Sequence, residues 1–141
     1  MLAEKYKNHR IILASASPRR KQLLAGLDIP FEVKIKEVHE DYPPSLQREQ
    51  IALYLCELKA SAFKPEIDDN TLVITADTIV WINGQVLNKP KDEADAIKIL
   101  TQLSGNMHEV ITGVCFKSKN KNHSFYALTK VYFKELSASE I

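Results

Sequence analysis

The chain has 141 residues, 45% of them hydrophobic and 26% charged, which suits one soluble domain with a real apolar core. Its 19 basic and 18 acidic residues leave a formal net charge of +1. That balance argues against a nucleic-acid polymer as partner, which calls for an excess of Lys and Arg, but it suits a few cations aimed at one small polyanion. Cys56 and Cys115 have no CxxC partner, so no zinc site or disulfide framework is expected and each reads as a small buried apolar residue. Met1 to Lys7 lacks the apolar stretch of a signal peptide, and no run approaches the roughly 20 apolar residues of a membrane helix. The expected setting is the cytoplasm, with no membrane partner.

In chain order, Arg10 to Ala14 reads as a buried strand that breaks at Ser15-Ala16-Ser17-Pro18. A helix from Arg19 to Leu27 follows, with Ser17 as its cap, Pro18 in its first turn and Leu23, Leu24 and Leu27 as its apolar stripe. Phe31 to Val38 alternates like a half-buried strand, and His39 to Pro44 is a proline-broken loop. Ser45 is placed to cap a long helix reaching about Phe63. Thr71 to Ala76 has the near-continuous apolar pattern of a strand covered on both faces. It is expected to stop at Asp77-Thr78 and resume as Ile79 to Ile82, with Asn83-Gly84 turning the chain into Gln85 to Leu87. Asp92 caps a helix over Glu93 to Leu103, two strands follow at about Glu109 to Lys117 and Phe125 to Phe133, and Ser137 resembles one more cap. The sum is a mixed α/β chain without repeats.

Two features stand out as chemistry. Ser15-Ala16-Ser17-Pro18-Arg19-Arg20 joins a strand to a helix N-terminus, where free N–H groups and partial positive charge favour an anion. Arginines in that turn oppose the helix dipole, which makes sense if phosphates sit before them; a plain capped helix with two solvated arginines is the alternative. Asp77 closes an apolar run, where an unpartnered carboxylate is costly, so a metal ligand or general base fits there better than a simple turn. Glu40, Lys59 and Lys89 read singly as solvated surface residues. There is no GxxxxGK[ST] and no GxGxxG.

Together the segments resemble the Maf family, named for septum-formation inhibition and related to inosine-triphosphate pyrophosphatases. The matching pieces are Leu13 to Arg20, Glu40, Lys59-Ala60, Ala76-Asp77-Thr78, Leu87-Asn88-Lys89-Pro90, and Ser104-Gly105 with His108, Val110 and Thr112, in order along the chain. The resemblance implies an elongated mixed sheet flanked by helices, with a nucleotide-binding cleft. It also implies hydrolysis of a nucleoside triphosphate at the α-phosphate with a divalent cation, usually Mg²⁺. By the same resemblance, Asp77 is the proton acceptor, and Glu40 with Asp77 holds the metal. Ser15, Arg19, Arg20, Lys59 and Lys89 surround the phosphates. Ala-Asp-Thr at 76–78 is the form that goes with dTTP and UTP, and Arg19 and Thr78 fall at positions linked to that choice.

Members of that family continue past the Ser137 segment into a further helix and closing strands, so residues 1–141 are expected to form a single domain lacking that C-terminal segment. Uncovered core surface and an exposed edge strand would follow, and with them self-association or a homodimer. Two other readings stand beside the dTTP/UTP pyrophosphatase. One is a non-catalytic nucleotide-binding module linked to cell division; the other is the same chemistry on a modified base such as 7-methyl-GTP.

Overall fold

A computed structural model describes residues 8–141, and the leader-free reading of Met1 to Lys7 lies outside them. One mixed sheet contains β1 (Arg10–Leu13), β2 (Glu32–Val33), β3 (Thr71–Ile82), β4 (Gln85–Leu87), β5 (Met107–Lys117) and β6 (Asn122–Tyr132). The order is β2-β1-β3-β5-β6, with β4 paired to β3. The flanking helices are α1 (Pro18–Ala25), α2 (Glu49–Ser61) and α3 (Glu93–Leu103). Among the described residues, no helix is long and apolar enough to cross a membrane.

The β3–β5 ladder organises the rest. It runs unbroken from Val73 opposite Lys117 to Trp81 opposite Glu109. Directly opposed residues of an antiparallel pair share a face, and neighbours along a strand alternate. Thr75, Asp77 and Ile79 therefore lie on one face with Cys115, Gly113 and Ile111. That face receives α2, whose Ile51, Ala52 and Leu55 form a buried cluster with Ile79 and Ile111. The buried Thr75 hydroxyl donates to the Cys56 carbonyl and pins the helix further along. A second cluster, Ile12 with Phe63 and Val73, closes the core beside β1.

Gly113 sets how closely α2 approaches. A Cβ built there would stand 2.6 Å from the Ala52 carbonyl oxygen and 3.0 Å from the Leu53 nitrogen. These are backbone atoms, so no side-chain rotation relieves the overlap.

Several local expectations are corrected. Asp77 and Thr78 do not interrupt a strand; they sit inside the 12-residue β3 because β5 pairs with it throughout this stretch. The strand expected over Phe31 to Val38 is limited to Glu32–Val33, since its partner β1 ends at Leu13 and offers one last bond, from the Lys34 N–H to the Leu13 carbonyl. Ser45 does not cap α2, which begins at Glu49. Arg48 precedes it with φ 51°, a rare conformation for a non-glycine residue, while its guanidinium makes a two-pronged pair with the Glu109 carboxylate at 2.9 and 2.8 Å. Ser17 caps α1 and Asp92 caps α3 as expected. Ser137 forms a reciprocal cap with Glu140, but only a turn follows.

The opposite face is less well covered. Leu23 of α1 and Leu27, which lies beyond the end of that helix at Ala25, are 59% and 50% exposed and line an open apolar groove over Leu13, Ile74 and Phe116. β6 lies at the sheet edge with Phe125, Tyr126 and Tyr132 exposed.

Two measurements follow from this packing. Gly113→Ala is expected to cost about 1–3 kcal/mol of stability, the usual range for overpacking, as a lowered urea midpoint; an unchanged midpoint would mean that α2 gives way freely. Burial pushes the Cys56 thiol up to about 12 and raises Cys115 as well. Both should therefore resist a disulfide reagent at pH 8 in the folded protein and react at once in urea.

Candidate functional site

The site is built around an interruption on one edge of β3. β5 takes one edge; β1 pairs on the other at residues 71–74, and β4 at residues 80–82. Between them, residues 75–79 have no strand neighbour on that edge among the described residues. β1 stops there because Ser15-Ala16-Ser17-Pro18 leads straight into α1, with Ser17 Oγ accepting the Arg20 N–H at 3.3 Å. A cleft of about 520 Å³ opens at this point, of the size that holds a small ligand. It lies beyond the carboxyl end of β1, where ligands gather in sheets with parallel strands. Ser15, Ser17, Arg20, Lys36, Glu40, Lys59 and Lys89 are among its walls.

Lys59, Glu40 and Asp77 meet here. The Lys59 ammonium lies 2.7 Å from Asp77 Oδ1 and 3.1 Å from Glu40 Oε1. Asp77 reaches it from the face on which α2 sits, and Glu40 from the loop before α2. Burial alone would push the Lys59 pKa down, but the Asp77 contact, followed by that of Glu40, outweighs burial and holds it above its ordinary value. Lys59 is therefore a charged bridge between two carboxylates rather than a solvated surface lysine.

Thr78 points to the opposite face from Asp77, and Arg20 links it to the cleft. Arg20 Nη2 donates to Thr78 Oγ1 at 2.7 Å, and Nη1 donates to the Ala76 carbonyl at 3.0 Å and to Ser15 Oγ at 3.4 Å. Thr78 Oγ1 also bonds Thr112 Oγ1 at 2.9 Å. Arg19, its neighbour on α1, is outside the cleft wall. Lys89 lines the cleft and is exposed.

Two contributors escaped the sequence reading. Lys36 falls at a polar position of the alternating Phe31 to Val38 pattern, which points to solvent in a strand; with the strand ending at Val33, it lines the cleft wall. There it donates to the Ala62 carbonyl, pairs with Glu66 at 2.5 Å and lies over the Phe63 ring at 5.1 Å. Thr112 stood among the matching segments without a role, and only the cross-strand register brings it against Thr78.

The fold and cleft define an α/β protein with a cleft rich in cationic side chains at the end of a parallel strand. A family model described as Maf-like protein matches residues 10–141. The chain is 48% identical over 141 residues to a dTTP/UTP pyrophosphatase of Flavobacterium psychrophilum, covering 100% of this chain and 72% of that protein. It is also 48% identical to a dTTP/UTP pyrophosphatase of Phocaeicola vulgatus, over 99% of this chain and 73% of that one. The chain belongs to the Maf-like family. Its fold is similar to that of the Staphylococcus aureus Ham1 protein, with a TM-score of 0.60 at 16% identity, over 87% of this chain and 71% of that one.

One wall of the cleft carries a pH signature. Hydrogen bonds from Lys34 and then Lys36 hold the Glu66 carboxyl at about 2, below its ordinary 4.5. A lowered carboxyl pKa gives stability that is present above 4.5 and lost as pH falls through that window toward 2. Glu66→Gln should lower the neutral plateau toward the acid value, so that the limb between 4.5 and about 2 flattens while stability at the acid end stays nearly unchanged, as followed by circular dichroism.

Proposed function

We propose that this chain is a nucleoside triphosphate pyrophosphatase, cleaving dTTP and UTP to the monophosphate and pyrophosphate. The observation that carries the reading is the convergence of Asp77 and Glu40 on the Lys59 ammonium, beside a cleft walled by Arg20, Lys36, Glu40, Lys59 and Lys89. The substrate choice draws on the likeness to relatives of that name over the whole chain.

The donor set fits a divalent cation of the Mg²⁺ type. Glu40 and Asp77 are hard oxygen ligands already gathered around one positive charge, and Mg²⁺ characteristically takes one or two carboxylates together with substrate phosphates. Bound there, it would withdraw charge from the phosphate chain and acidify a water. Asp77 accepts the proton of the attacking water, which adds in line to the α-phosphorus. Lys59 and Lys89, with Arg20 behind them, offset the charge that builds on the departing pyrophosphate. Ser15 and the start of α1 supply hydrogen bonds to the phosphates, and Arg19 contributes charge from outside the cleft. Thr78 and Arg19 bear on the choice of base, with the Thr78 hydroxyl held by Arg20. A cytoplasmic setting goes with this substrate.

Pyrophosphate release from a panel of triphosphates with Mg²⁺ tests the reading. Turnover of dTTP and UTP is expected to fall by about 100-fold or more in Asp77→Ala, the loss typical of a removed general base. In ¹⁸O-labelled water the heavy oxygen should enter the monophosphate. Label in the pyrophosphate would refute attack at the α-phosphorus.

A further inference from the structure

We propose that Lys59 occupies the cation position of the cleft in the nucleotide-free protein and yields it when a triphosphate binds, so that metal and nucleotide are taken up together. The proposal rests on the reading of the substrate as a metal-bound triphosphate, and it concerns how that site is regulated.

The argument begins with the two distances. An ammonium 2.7 Å from Asp77 Oδ1 and 3.1 Å from Glu40 Oε1 uses the same carboxylate oxygens that a divalent cation would need. Two cations cannot share them at such range, because like charges a few ångströms apart repel strongly where water is partly excluded. Lys59 is well placed to hold the position. Its side chain is 22% exposed and that of Asp77 13%, so the pair is sheltered. The helix that bears it is seated by the Gly113–Ala52 contact and by the Thr75 hydroxyl on the Cys56 carbonyl. The root of the side chain is therefore fixed while its four-carbon stem remains free to turn.

The free protein also offers a metal little in return. Among the described residues, no group of three His, Cys, Asp or Glu side chains is arranged to hold an ion. Two carboxylates with a lysine between them present one net negative charge instead of two. A triphosphate changes both terms. Its oxygens give the Lys59 ammonium a new partner within the cleft, and they complete the oxygen shell that Mg²⁺ requires. Lys59 thus exchanges carboxylate for phosphate, and Asp77 is released to act as a base only once substrate is in place.

Mn²⁺ serves as the probe, titrated into nucleotide-free protein and followed by electron paramagnetic resonance. Lys59→Met keeps the stem and removes the charge. It should bind Mn²⁺ about tenfold more tightly than the wild type or better, the effect of deleting one unit charge at hydrogen-bond range. Adding Asp77→Asn to that variant should abolish the gain, and Lys59→Arg, which keeps the charge, should bind as weakly as the wild type. Thermal melts establish that each variant folds; Lys59→Gln replaces the methionine variant if that one does not. Equal or weaker Mn²⁺ binding by the neutral variants overturns the proposal. So does a gain that survives Asp77→Asn. Pyrophosphate release by the wild type is measured alongside. Turnover without a gain in Mn²⁺ affinity sinks the exchange and leaves the proposed activity standing, while a gain without turnover of any triphosphate does the reverse.

Discussion

The contact between Gly113 and the backbone of Ala52 is the constraint on which the cleft depends. Only a residue without Cβ lets α2 settle this deeply on the β3–β5 ladder. Seven residues on from Ala52, two turns along the same helix face, Lys59 then arrives over Asp77, the residue directly opposite Gly113. A steric allowance on β5 and an ion pair on β3 are therefore one arrangement seen from two strands. The buried apolar cluster of Ile51, Ala52, Leu55, Ile79 and Ile111 provides the free energy that keeps α2 down.

The remaining charges are distributed by the same frame. Arg20 crosses from α1 to the Ala76 carbonyl and Thr78 hydroxyl, bracing the helix start against β3 between its pairings with β1 and β4. The arginine in a first helical turn, unfavourable by the helix dipole alone, is thereby given backbone and hydroxyl acceptors. Arg48 and Glu109 do the corresponding work at the start of α2, where the forked ion pair accompanies a backbone conformation that an arginine rarely adopts.

What the sequence disclosed followed from how local each signal was. The Ser17 and Asp92 caps, the Asn83-Gly84 turn and the apolar run of β3 are decided by a few adjacent residues, and the structure has them where they were read. The extent of β2 was illegible because it depends on where β1 ends, and the start of α2 because it depends on Glu109, far along the chain. Asp77 drew notice as a carboxylate in apolar company, yet its local sequence suggested a break that cross-strand pairing overrides. Lys59 looked like any surface lysine. Only α2 seated on the sheet turns it into the bridge between Glu40 and Asp77, and no periodicity could have announced that.

The side-by-side placement of Asp77 and Thr78 within a regular strand has a consequence for how such a chain can change. Their side chains leave β3 on opposite faces, one toward the lysine of α2 and the other toward the arginine of α1. A single residue inserted or deleted in β3 upstream of this pair would carry each to the other's face. The ion pair with Lys59 and the hydrogen bond with Arg20 would both be lost in one step. Length variation is thus confined to the turns at the ends of the ladder, while the pair itself can vary only by substitution in place.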